Sequence, residues 1–185
     1  MTGQSASQPL RRVRRFFRTL CPRVEPAALA AGLAYLSPAE QALFCRLAPA
    51  DEQHSLRVFA LLVANDQTDR DLLGAALLHD AGKAHARLSV WHRVVVDLAG
   101  RHSPGILRWL AGHGPAWWRG PFTVALTHPT IGIADLTAAG SSTRLIDILA
   151  SAGSPARQLQ SADAPTADTT IATLAQLLRE ADARE

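Results

Sequence analysis

The chain has 185 residues and a mass of 19.8 kDa, room for one domain with a short extra segment. At 48% hydrophobic and 19% charged it carries enough apolar content for a buried core, which excludes wholesale disorder. No uninterrupted apolar run reaches the length of about 18 residues that a membrane-spanning helix requires. The opening MTGQSASQPLRRVRRFF has arginines but no apolar stretch behind them, so it does not read as a secretory signal. Aromatics are scarce, and the apolar runs are rich in Ala and Leu rather than Val, Ile and Thr. That composition predicts an all-α fold. Cys21 and Cys45 lack CxxC spacing and read as small buried hydrophobes in a reducing compartment.

Charge is unevenly spread. Arg11, Arg12, Arg14, Arg15, Arg18 and Arg23 stand against the lone Glu25 in the first 25 residues, a balance of +5 that leaves −2 on the remainder. Phe16, Phe17 and Leu20 lie among these arginines. The combination fits contact with anionic lipid or nucleic acid, and equally a solvated basic helix whose aromatics pack on the domain. Residues 1–44 therefore read as a basic helical N-terminal segment and 45–185 as the main domain. The expected location is cytoplasmic, or membrane-peripheral through the arm, with no transmembrane segment.

In chain order, a basic helix is expected over 9–20, ended by Cys21-Pro22, then an Ala-rich helix from Pro26 to Ala34. Ser37-Pro38 caps another that runs to about Leu47. Asp51 is placed as the N-cap of a helix over 52–64, with Asn65-Asp66 as its stop. Asp69 opens DRDLLGAALLHDAG, expected to end at Gly82. Apolar runs follow over 90–99 and 104–112, and GHGPAWWRGP reads as a loop because of its breakers. Helices are expected over 121–127, after Pro129, over 142–150 and over 168–183, with a long Ala/Ser/Pro/Thr connection before the last.

The chemistry gathers around His79 and Asp80. The helix before them is apolar on every side, through Leu72, Leu73, Ala75, Ala76, Leu77 and Leu78, so it should be central and buried. A carboxylate at its last turn meets the negative end of the helix dipole and a desolvation cost. Something cationic must compensate it: Lys83, three residues on, or a divalent metal. His54 shares a stripe with Val58 and Leu61, the core-facing one, so it points inward. Asp182 falls on the apolar stripe of Ile171, Leu174 and Leu178. Asp147, Asp163 and Asp168 read as solvated, as do His85 and Arg87.

Two histidines and two carboxylates on the inward faces of three helices suit a mixed N/O site for Mn, Fe, Co, Ni or Mg. His54, then His79-Asp80 in LLHDAGK, then a late Asp, resembles the HD-domain phosphohydrolase superfamily, with ALLHDAGK, WHR and HPTIG also similar to its bacterial members. The resemblance covers about Ala48 to Glu185. It implies an all-helical hydrolase of small phosphate esters, often nucleotides, in which His54, His79, Asp80 and Asp182 bind metal and Lys83 neutralises a phosphoryl oxygen. His128, before Pro129 and so expected at a helix N-terminus, matches a position that serves a second metal or the substrate. The family's next histidine should follow an apolar LI pair, where this chain reads RLIDILASAG. That departure supports a second reading, a catalytically weak domain that binds a nucleotide or partner and regulates.

Overall fold

The computed structural model describes residues 25–85, 116–153 and 166–185, with isolated helical positions at 105, 109 and 112. Among the described residues there are seven α-helices and no strand, as the composition predicts. They are α1 (Pro26–Leu33), α2 (Pro38–Phe44), α3 (Pro49–Ala64), α4 (Arg70–Leu78), α5 (Ala116–Ala138), α6 (Thr143–Gly153) and α7 (Thr166–Arg184), with a 3-10 turn at Ala81–His85 between α4 and α5. No described helix is long and apolar enough to cross a membrane. The expected helices over 9–20, 90–99 and most of 104–112 lie outside the described residues, as does the arginine arm.

The middle of the fold is α4. Every residue from Leu72 to Leu78 is buried, so the prediction of a central helix holds. Its neighbours include α3 and α6, while α7 packs against α3, α4 and α6. Leu36, Phe44, Val58, Leu62, Leu136, Ile148 and Leu178 join its leucines in one core. Burying a Leu or Phe side chain contributes about 1.5–3 kcal/mol, so this cluster dominates the stability. Because Leu36 and Phe44 belong to it, residues 26–44 pack onto the body of the domain.

Local signals set most of the helix starts. Ser37 accepts from the Glu40 backbone N–H, while the Glu40 carboxylate accepts from the Ser37 N–H, a reciprocal cap. The second oxygen of Glu40 accepts from Ser141 Oγ at 2.7 Å, which ties α2 to the α5–α6 turn. Asp69 caps α4 by accepting from the N–H groups of Asp71 and Leu72. Gly140, at φ +75°, takes the left-handed conformation that closes the turn after α5.

Several expectations need correction. Helix α3 starts at Pro49 with Ala48 as N-cap, because proline at the first helical position serves as well as a capping aspartate. Helix α4 stops at Leu78, and Gly82 lies inside the 3-10 turn rather than after a longer helix. The stretch from Ala116 to Gly120 is helical, and α5 continues through Pro121 and Pro129, where two helices and a loop were expected. The last helix, α7, begins at Thr166, two residues before the expected start. Cys45 follows α2 and is exposed, so it is no core residue.

Candidate metal centre

The tight approach of two backbones builds the floor of the site. The 3-10 turn that follows Asp80 lies against α5, with Gly82 directly over His128 and Gly132. A Cβ on Gly82 would collide with the His128 carbonyl oxygen and stand 2.8 Å from the Gly132 nitrogen. Only glycine admits this crossing, and it brings Asp80, Lys83 and His128 together.

Asp80 is almost wholly buried. Its Oδ2 accepts from Lys83 Nζ at 2.6 Å and lies 3.5 Å from His79 Nε2. Its Oδ1 faces His128 Nε2 at 3.6 Å. Burial alone would raise the Asp80 carboxyl, but the charges of His79 and Lys83 and the lysine hydrogen bond outweigh it and hold the group well below the usual carboxylate range. Asp80 is thus a buried carboxylate kept ionised at the negative end of α4. Lys83 is the only lysine in the chain, against eighteen arginines. A compact ammonium reaches one carboxylate oxygen without the breadth of a guanidinium.

His79 closes α4. Its Nδ1 donates to the Ala76 carbonyl at 2.9 Å, one of the last-turn carbonyls that no helical N–H reaches. A carbonyl only accepts, so Nδ1 carries a proton and Nε2 is the ring nitrogen that faces the cluster. That atom is buried and has no hydrogen-bond partner. A buried ring nitrogen without a hydrogen-bond partner is costly. It stands 3.6 Å from Asp182 Oδ1, and the His54 and His79 rings meet edge to face with centroids 5.3 Å apart.

His54 arrives from α3 and Asp182 from α7, both on the inward stripes their spacing predicts. His54 Nε2 and Asp182 Oδ1 are 2.8 Å apart. Three residues further along each segment, Arg57 Nε donates at 2.8 Å to Oε2 of Glu185, which lies just past the end of α7. Burial raises the Asp182 carboxyl, but the His54 hydrogen bond and the His79 charge outweigh it and bring it below its ordinary value. The end of α7, where a terminal helix turn would otherwise fray, is therefore held at two points.

Ligand atoms of His54, His79 and Asp80 lie within 4.8 Å of one another and can hold a metal ion. Donors around an ion at about 2.1 Å sit about 3 Å apart, close to the observed separations. The orphaned Nε2 of His79, with carboxylates of Asp80 and Asp182 facing it, fits a cation of mixed N/O preference.

His128 needs one correction. It sits within α5 rather than at a helix start, because the helix runs unbroken through Pro129. Its Nδ1 donates to the Ala125 carbonyl at 3.0 Å. Burial and then the Lys83 charge push its imidazole below the ordinary value, against the pull of Asp80. His85 is exposed as expected, yet it pairs with Asp135 at 2.6 Å, across 50 positions of sequence, and helps join the turn to α5. Asp147, expected to be solvated, is half-buried on α6. His92, His102, His113, Arg87 and Asp163 lie outside the described residues.

Compared with known proteins, the chain matches no family model, no curated protein and no solved structure. What the fold and the site define is an all-α protein whose central helix ends in a His/Asp cluster able to hold a metal ion.

Proposed function

We propose that the chain is a metal-dependent phosphohydrolase of the HD type, acting on a nucleotide or another small phosphate ester. The observation that carries this reading is the buried, unpartnered Nε2 of His79, set beside the ionised Asp80 and the His54–Asp182 pair. A structural ion cluster gains nothing from leaving a buried ring nitrogen unpartnered, whereas a metal ligand needs a free ring nitrogen.

His54, His79, Asp80 and Asp182 would hold the ion, drawn from Mn, Fe, Co, Ni or Mg. When bound, it supplies Lewis acidity toward water and a phosphoryl oxygen. Lys83, held 2.6 Å from Asp80, places an ammonium beside the centre where it can neutralise charge developing on the phosphoryl group. The neutral imidazole of His128 offers an acceptor on the opposite side of Asp80. Asp80 itself orients both neighbours through its two oxygens.

Metal content of protein purified without chelator, beside an Asp80→Ala control, tests the centre. Near-stoichiometric transition metal in the wild type and none in the control is expected, followed by phosphate-ester turnover that Asp80→Ala abolishes and Asp147→Ala leaves intact. A wild type that stays empty after reconstitution with Mn or Fe overturns the metal reading. Equal turnover in the two variants would sink the residue assignment. The regulatory reading draws on RLIDILASAG, where Asp147 stands in place of the expected histidine. Metal binding with no turnover of any phosphate ester is its signature.

A further inference from the structure

In a helix the N–H of one residue donates to the carbonyl four positions earlier. At position 129 that donor is missing, because proline has no N–H, so the Ala125 carbonyl inside α5 is released from the helical ladder. The His128 side chain takes it: Nδ1 lies 3.0 Å from Ala125 O. Since a carbonyl can only accept, the ring proton is on Nδ1, and the neutral ring turns a lone pair on Nε2 toward Asp80 Oδ1 at 3.6 Å. A lone pair facing a carboxylate needs positive charge nearby, and Lys83 stands on the same carboxylate. The opposite ring, His79, has the same arrangement on Ala76 O. There the released carbonyl comes from the end of α4; here it comes from a proline.

We propose that Pro129 is a positioning residue of the site: by withholding an N–H from Ala125 it reserves that carbonyl for His128 and fixes the imidazole in its Nδ1–H form, with Nε2 aimed at Asp80. Two neighbouring glycines complete the device, since Gly82 packs over the His128 carbonyl and Gly132. The use of this tautomer as a site acceptor rests on the metal-centre reading, whereas the tautomer itself does not.

The test is a long-range proton–nitrogen correlation spectrum of the histidine rings in the full 15N-labelled chain, with chelator, above the pH at which imidazoles titrate. In the wild type His128 should carry its proton on Nδ1. In Pro129→Ala the restored amide competes for Ala125, and the ratio of Nδ1–H to Nε2–H forms at His128 should fall about fivefold, the worth of one net hydrogen bond. His79 should keep its tautomer and so report that the site still folds. Pro129→Ser supplies the same N–H with another side chain, so a folding failure of one variant does not shelter the idea. A wild-type His128 protonated on Nε2, or a ratio unmoved in both variants, overturns it. Titration with Mn2+ alone then reads the consequence, an affinity roughly tenfold weaker in Pro129→Ala. A shifted tautomer with unchanged affinity would remove Pro129 from the positioning of the centre. A wild type that binds no Mn2+ would instead count against the metal reading, with the tautomer result standing.

Discussion

The two ends of α4 carry similar charges and do opposite things with them. At the N-terminal end Asp69 and Asp71 meet Arg144, which donates to both carboxylates, and Ser142, whose hydroxyl donates to Asp71 at 2.5 Å. These acids sit at the positive end of the helix, and Asp69 also caps it. At the C-terminal end Asp80 is buried against the negative end, with Lys83 beside it and the rings of His79 and His128 facing it. The first cluster lowers the energy of the chain that contains it. The second places a carboxylate where the helix least favours one and leaves His79 Nε2 without a hydrogen-bond partner. Acidic residues at a helix end are thus no sign of a site by themselves; an unmet bonding capacity is.

The sharpest way to break this comparison is to neutralise each end in turn. Asp80→Asn should abolish phosphate-ester turnover and weaken Mn2+ binding by at least about a hundredfold, above the usual range for removing an outer-shell partner. In chelator its thermal stability should fall as well. Burial is outweighed by the neighbouring positive charge and the Lys83 hydrogen bond, which hold the Asp80 carboxyl below its ordinary value, and a carboxyl lowered by folding contributes stability. Lys83, part-exposed, can turn to water once its partner is neutral, which limits that loss. Calorimetry of the metal-free protein checks the stability arm, and Mn2+ affinity unchanged in Asp80→Asn would mean that the carboxylate is there for stability alone. Asp69→Ala should separate the two effects, with about 1–2 kcal/mol lost with the cap and Mn2+ affinity unchanged.

Much of the site was legible because burial obeys helical periodicity. The inward placing of His54 and of Asp182 followed from the stripes of Val58 and Leu61 and of Leu174 and Leu178, and both side chains do face the cluster. The central position of α4 followed from its unbroken apolar surface. What periodicity cannot supply is partnership across elements. Arg57–Glu185, His85–Asp135 and Arg144–Asp69 join residues 50 to 128 positions apart, and nothing local announces them. His128 was misplaced for a different reason. Proline is commonly read as a helix boundary, but in α5 the histidine side chain takes over the carbonyl that the missing amide would have used. Lys83, the single lysine among nineteen basic residues, was legible as the cation that compensates Asp80, and its ammonium does donate to that carboxylate.

A smaller effect separates the ligand from its support. Arg57 touches none of the candidate ligands, yet its bond to Glu185 holds the turn of α7 that carries Asp182. Arg57→Ala should lower Mn2+ affinity by roughly tenfold through a less ordered Asp182, with turnover at saturating metal nearly unchanged. Arg57→Lys should recover part of that loss. An affinity indifferent to Arg57→Ala would show that the His54 contact alone keeps Asp182 in place.

The smallest effect expected is at Arg144, and it has a pH signature of its own. The pair is part-exposed, so Arg144→Ala should cost only about 0.5–1 kcal/mol near neutral pH and leave metal affinity untouched. Burial would raise the Asp69 carboxyl, but the Arg144 hydrogen bond, the Leu72 N–H and the Arg144 charge bring it below its ordinary value. A carboxyl lowered by folding contributes stability that is complete above its unfolded pKa of about 3.9 and is lost as pH falls through the folded value. The gap between wild type and Arg144→Ala should therefore be constant from pH 7 to about 5 and close below about 4, and it should shrink with added salt. Denaturation curves across that range check it. A gap that persisted in acid would mean that the arginine acts through packing of its stem on α6 rather than through charge, and the two ends of α4 would then differ less than their hydrogen bonds indicate.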